Sequence, residues 1–286
     1  MIWLKILILA IVQGAAELLP VSSSAHVIVA EKLMGLDPTT PEMTLLLVML
    51  HTGTMFAVIF FFWKSWKETF FSSREVIWDS VKLIAAATFL TGIIGLLLKY
   101  FIEKFILGDV PRAEIELLFG NMVLISAALA AAGLLIVFAG RKSRRTGGDV
   151  TLGLKESCWI GAVQGICLPF RGFSRSGATI STGLLLGIAK QRVEEFSFAL
   201  AVVLTPPVIV REVLRLLKAR HASSVDMPSI VGLFYPSLLG MVLSFGSGIL
   251  ALKWLSLWLE RGRWHLFGIY CLCAAVVVFL LYGSGF

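Results

Sequence analysis

Gln13-Gly14-Ala15-Ala16-Glu17-Leu18-Leu19-Pro20-Val21-Ser22-Ser23-Ser24-Ala25-His26 sets a carboxylate, a proline and three consecutive serines into the apolar start of the chain. The runs on either side, 6–16 and 18–30, fall in the class of about 10–14 residues that is too short to cross a hydrocarbon core and typical of re-entrant segments. Broken backbone at membrane depth is tolerated only where protein buries it or it lines a wet cavity. The arrangement returns further on, where runs 157–170 and 176–189 flank Arg171-Gly172-Phe173-Ser174-Arg175. Each place predicts a hairpin of two short helices meeting near the membrane midplane.

Composition names the solvent around these hairpins. The 286 residues are 58% hydrophobic and 15% charged, with a mean hydropathy of +0.90, against roughly 45–50% apolar and 25% charged for a soluble domain. So few charges cannot cover a water-facing surface, and so much Leu, Ile, Val and Phe excludes disorder. The net charge of +7 is read through topology, because cytoplasmic loops collect Lys and Arg, and no nucleic-acid partner is expected. Cys158, Cys167, Cys271 and Cys273 lie in apolar stretches with no CxxC pair and read as core or lipid-facing residues. The N-terminus faintly resembles a signal peptide; it is read as uncleaved because Gln13 and Glu17 belong to one hairpin.

Runs 43–63, 117–140, 227–252 and 266–286 approach or exceed the ~20 residues that span a bilayer. Runs 83–98 and 196–210 gain length from Lys82, Lys99 and Arg211, whose stems snorkel to the interface. Pro206-Pro207 is expected to kink or break its helix. The fold class is therefore all-α: a polytopic membrane protein forming one integral domain over residues 1–286.

The hairpins resemble each other. Val12-Gln13-Gly14, Pro20 and Ser22-Ser23-Ser24 echo Val163-Gln164-Gly165, Pro169 and Ser174-Arg175-Ser176, while Leu97-Leu98-Lys99-Tyr100 and Leu118-Phe119-Gly120 echo Ala251-Leu252-Lys253-Trp254 and Leu266-Phe267-Gly268. Two repeats follow, about 1–145 and 150–286, joined by the basic linker 141–148. With one re-entrant hairpin and about three spans in each, the repeats are inverted in the membrane. Loops 64–82, 141–155 and 253–265 carry about twice the Lys and Arg of loops 99–116 and 215–230, which puts the first group in the cytoplasm.

Ionisable groups inside such segments cost roughly 2.5–3.5 kcal/mol or more at the bilayer centre and by default mark a site. Glu17 and Arg175 are such groups. Gln13 and Glu17, four apart, share a helix face. The serines after Pro20 and the run Ser174-Arg175-Ser176-Gly177 are N-cap sequences for the following half-helices. Two half-helix N-termini facing the midplane bind an anion, phosphate above all, and Arg175 adds a bidentate fork. A carboxylate beside a phosphate calls for a cation between them, so a divalent metal on Glu17 with oxygen help from Gln13 is expected. Each feature also has a structural reading: Glu17 and Arg175 as an ion pair, the serines as caps, His26 as a core histidine. His51 reads as structural, lining the cavity; Glu31, Lys32, Glu194 and Glu195, at the ends of apolar runs, read as solvated or interfacial. The concentration of Glu17, Ser23, His26, Ser174 and Arg175 at two matched breaks favours the functional reading.

At these residues the chain resembles a known family. Stretch 13–26 is similar to the first, glutamate-rich motif of the undecaprenyl-diphosphate phosphatases, the bacitracin-resistance membrane proteins. Gly172-Phe173-Ser174-Arg175-Ser176-Gly177-Ala178-Thr179 resembles their Pro-Gly-x-Ser-Arg-Ser motif. The resemblance covers the whole chain. It implies hydrolysis of a C55 polyprenyl diphosphate to the monophosphate, recycling the lipid carrier of cell-wall synthesis. It also implies Mg²⁺ or Ca²⁺ dependence, and a site open to the outer face of the bacterial cytoplasmic membrane. By position, Gln13 and Glu17 match the family's acidic pair, Ser23 and His26 its serine and histidine, and Ser174 and Arg175 its phosphate-binding pair. Gln13 stands where many members have glutamate, and Arg171 replaces the motif's proline, bringing a second cation toward the diphosphate.

Catalysis is thus expected from Glu17, Ser23, His26 and Arg175. Phosphate binding is expected from Ser22, Ser24, Arg171, Ser174, Arg175 and Ser176, and metal binding from Glu17 and Gln13. His26 is either a general base, for water or for Ser23, or itself a nucleophile. The partners are the polyprenyl diphosphate and bilayer lipid, with oligomeric state open between monomer and homodimer. A transporter of lipid phosphate is the rival reading, since carriers use inverted repeats with broken helices. Acid-phosphatase-type lipid phosphatases are set aside, because no histidine follows Arg175 in Ser-Gly-Ala-Thr-Ile-Ser-Thr-Gly.

Overall fold

Proline and glycine divide the chain where apolar periodicity stops, and a computed structural model shows the helices that result; it describes residues 2–36, 40–106, 118, 120–143, 150–222 and 230–284. Helix α1 (Ile2–Leu18) and α2 (Ser23–Leu33) form the first hairpin, followed by α3 (Pro41–Phe70), α4 (Arg74–Phe101) with a π-helical turn (Ile102–Ile106), and α5 (Met122–Ser143). Helix α6 (Leu154–Cys167) and α7 (Arg175–Leu185) form the second, followed by α8 (Lys190–Ala222), α9 (Ile230–Glu260) and α10 (Trp264–Gly283). The described residues contain no strand beyond a single bridge between Val150 and Ile188. Residues 144–148 of the basic linker and the following residue 149, 107–117 of one loop and 223–229 of another lie outside the described residues.

Six of the helices, α3, α4, α5, α8, α9 and α10, are long and apolar enough to cross a membrane. Their outward faces are apolar, as at Phe60, Phe89, Leu96 and Leu250, each about 70% exposed, which suits lipid as solvent. The chain is a multi-pass membrane protein. Its interior is aromatic: Phe62 stacks on Trp66 and on Phe198, and Trp264, 1% exposed, donates its indole N–H to Ser181 Oγ at 3.0 Å. Helix α5 lies along α10, α3 and α1 along α9, and α6 along α4. Between α5 and α10 the backbones close on glycine, since a Cβ on Gly268 would stand 2.6 Å from the Gly133 carbonyl oxygen; small residues permit such approach in membranes.

One expectation is narrowed and one is corrected. Of the kink or break expected at Pro206 and Pro207 there is no break, since helix α8 continues through both; two missing N–H donors interrupt the ladder of a 33-residue helix without ending it, since membrane helices tolerate proline when neighbouring groups take up the freed carbonyls. Glu31, Glu194 and Glu195 are buried, at 4%, 4% and 2% exposure. Glu195 is held by Ser65 Oγ of α3 and by Gln191 Nε2 at 3.0 Å, and Glu194 by Ser256 Oγ of α9. For Glu194 and Glu195, neighbouring helices supply hydroxyl donors that an apolar-run boundary does not show, and Glu31 is covered as part of the wall of a cavity between the hairpins.

Candidate functional site

Both hairpins break for local reasons. Helix α1 stops at Leu18, ahead of Pro20, and Ser22 turns the chain with φ 67, a left-handed conformation that is costly for serine. Ser22 stands at the N-cap of α2 yet makes no side-chain cap, its Oγ lying 3.2 Å from Ser24 Oγ. In the second hairpin Gly172 has φ 103, and a Cβ there would meet the Ile125 carbonyl oxygen at 2.5 Å, so only glycine fits. Ser174 does cap α7, accepting from the Gly177 N–H at 3.2 Å.

The two breaks face each other across a cavity of about 700 Å³. Glu17, its side chain 13% exposed, is the centre of the contacts. Oε1 accepts from Arg175 Nη2 at 2.7 Å; Oε2 accepts from Ser23 Oγ at 2.6 Å and from Gln13 Nε2 at 3.1 Å. The Gly172 N–H donates to Ser24 Oγ at 3.4 Å, and Ser176 Oγ donates to the Leu19 carbonyl at 3.4 Å, so the hairpins also bond to each other. Gln13, Glu17, Ser22, Ser23, Ser24, Arg171, Ser174, Arg175 and Ser176 all line this cavity.

His26 is placed differently. Its Nδ1–H donates to the Ser22 carbonyl at 2.8 Å, which leaves Nε2 to accept from the Tyr270 hydroxyl at 2.7 Å, and the two rings stack at 5.7 Å. Both nitrogens are engaged, and His26 is not among the residues lining the cavity. The histidine on the cavity wall is His51 of α3, with Nδ1–H on the Leu47 carbonyl at 2.8 Å and Nε2 3.8 Å from Glu17 Oε2. The sequence carried no signal for Tyr270, whose residue lies 244 positions from its partner.

The arrangement pairs an acid with a hydroxyl and a guanidinium. Glu17 can take the Ser23 proton over one hydrogen bond, and Arg175 holds positive charge beside the same point. For a divalent cation the donor set is right in type, with carboxylate, amide and hydroxyl oxygens on Glu17, Gln13 and Ser23, but it has one charge. Among the described residues no three of His, Cys, Asp and Glu gather as a metal cluster. Such a set suits Mg²⁺, which takes one or two carboxylates and completes its shell from phosphate and water.

Comparison with known proteins gives one consistent result. The profile of the family described as bacitracin resistance protein BacA matches residues 6–277. A protein of Acinetobacter baylyi named undecaprenyl-diphosphatase 2 is 60% identical over 279 residues, 97% of each chain. Proteins named undecaprenyl-diphosphatase from Rhodopirellula baltica and Parabacteroides distasonis are 31% and 30% identical, again over 97% of each chain.

Proposed function

Because the chain belongs to the bacitracin resistance protein BacA family, we propose that the Glu17–Arg175 cavity is where it removes the terminal phosphate of undecaprenyl diphosphate. Hydrolysis of that lipid is its activity, and the relatives' names as diphosphatases favour hydrolysis over transport. The observation that carries the site is Glu17 accepting at once from Ser23, at 2.6 Å, and from Arg175, at 2.7 Å.

Arg175 and the uncapped N-terminus of α2 bind the terminal phosphate. Ser23 Oγ attacks its phosphorus while the serine proton passes to Glu17. The bond from phosphorus to the bridging oxygen breaks, and the lipid monophosphate leaves with the electron pair. Water then attacks the phosphoserine, the Ser23–phosphorus bond breaks, and a proton returns to Ser23, releasing inorganic phosphate. His26 holds the Ser22 carbonyl and so fixes the strained turn that presents Ser23. Ser174 and Ser176 orient Arg175's helix, and Arg171 adds positive charge. Glu17 and Gln13 would hold a divalent cation, which when bound neutralises charge on the departing phosphate.

The repeats are further proposed to be inverted, with the site open to the outer face of the bacterial cytoplasmic membrane. Supporting this are the loop charge bias and the matched pairing of α1 with α9 and α6 with α4. The test is phosphate release by the purified protein in detergent from a short-chain prenyl diphosphate with Mg²⁺. Release should stop on chelation and in Glu17→Gln; wild-type release by Glu17→Gln would refute the site.

A further inference from the structure

The wall of the same cavity holds a second acid and arginine. Glu31 lies on α2, two turns beyond Ser23, lines the cavity and is 4% exposed. Its Oε1 is buried and has no hydrogen-bond partner among the described residues. Arg171, which precedes Gly172, lines the cavity too and is the charge that acts on Glu31. An unsatisfied buried polar atom costs roughly 1–3 kcal/mol, and an apolar residue at this position would avoid it. A group kept under that cost on a cavity wall is a candidate to bind what fills the cavity.

We infer that Glu31 and Arg171 form a second phosphate subsite, which takes the phosphate next to the lipid while Arg175 and Ser23 hold the terminal one, with Glu31 donating a hydrogen bond as the carboxylic acid. The inference rests on the site reading above and assigns the other half of the same substrate. The spacing agrees. Eight residues of helix rise about 12 Å, and a glutamate side chain leans back toward the N-terminus, which leaves roughly 8–10 Å from Ser23 Oγ to the Glu31 carboxyl. That is the reach of a diphosphate with its attacking oxygen about 3–3.5 Å from one phosphorus and a hydrogen bond of about 2.7 Å on the other phosphate. Charge agrees as well. Arg171 alone favours the carboxylate of Glu31, but a phosphate between them takes up that positive charge and disfavours the ionised acid, and the neutral acid then adds a donor where a carboxylate would repel the phosphate.

The experiment measures KM and kcat of purified protein on a short-chain prenyl diphosphate, with inhibition by the prenyl monophosphate and by inorganic phosphate. Glu31→Ala and Arg171→Ala should each raise KM about 10-fold, the worth of one hydrogen bond to a charged group, with kcat nearly unchanged. Glu31→Gln, whose amide still donates, should stay within about 2-fold of wild type. Inhibition by the prenyl monophosphate should weaken in Glu31→Ala while inhibition by inorganic phosphate holds. An unchanged KM in Glu31→Ala, or Glu31→Gln as impaired as Glu31→Ala, overturns the subsite. If Glu31→Ala does not fold, Glu31→Met, similar in volume and without a donor, serves in its place. Glu17→Gln in the same assay separates the two readings: an inactive Glu17→Gln beside an unaffected Glu31→Ala removes only the subsite.

Discussion

At the first residue of α2 stands Ser23, and at the first residue of α7 stands Arg175. Four residues after Gln13 comes Glu17, whereas four after Gln164 comes Leu168. Gln13 donates to Glu17 within its own hairpin; Gln164 donates instead to Thr91 Oγ1 of α4 at 3.1 Å. One backbone device thus carries two kinds of chemistry, a base and a hydroxyl on one side and a cation on the other. Two copies of the first hairpin would set like charges against a phosphate, and two copies of the second would lack a base. Phosphoryl transfer is served by the mismatch.

The strongest test of that division exchanges the charges. Glu17→Arg or Arg175→Glu alone leaves like charges facing at low exposure and should cost about 3–5 kcal/mol, read as a large fall in melting temperature. The double exchange should recover much of the stability but no phosphate release, since Ser23 then has no base. Recovered activity would mean the pair is only structural. Ser23→Ala should lower kcat by about 10³-fold or more, comparable to losing an activated nucleophile. His26→Ala should cost less, about 10-fold, acting through the Ser22 turn; an order of severity opposite to this would hand the nucleophile's role to His26.

Gly172→Ala comes next. It forces a side chain into φ 103 and into the Ile125 carbonyl, which should cost at least about 1–3 kcal/mol of stability. Calorimetry or a thermal shift in detergent measures it, and an unchanged midpoint would mean that the second break is not rigid.

How much of this was legible beforehand depends on which physical scale set each feature. The two breaks were visible because proline, glycine and serine act on their own backbone, and the six long helices because lipid acts on ~20-residue windows. Glu17 and Arg175 stood out because charge inside an apolar run is costly. His51 stands on the cavity wall as expected, but that it rather than His26 faces Glu17 was not visible. His26 is close in sequence but turned to Tyr270, and His51 arrives from α3 by helix rotation and packing, which no local pattern encodes. Glu194 and Glu195 misled for the same reason, since Ser65 and Ser256 reach them from other helices.

The smallest expected effect separates the two N-caps. Ser174 caps α7 through the Gly177 N–H, so Ser174→Ala should cost about 1 kcal/mol, as cap removal does. Ser22 occupies the same place on α2 but caps nothing, and its φ of 67 is a strain that glycine would not feel. Ser22→Gly should therefore hold or raise the melting temperature, by up to about 1 kcal/mol in stability, while Ser22→Ala, which keeps the strain, should change little. If Ser22→Gly raises the melting temperature and lowers kcat together, the strained turn is what holds Ser23 Oγ on Glu17, and the free N–H groups of α2 alone do not suffice. If Ser22→Gly leaves kcat intact, the hydrogen bond at 2.6 Å holds Ser23 without help from the turn.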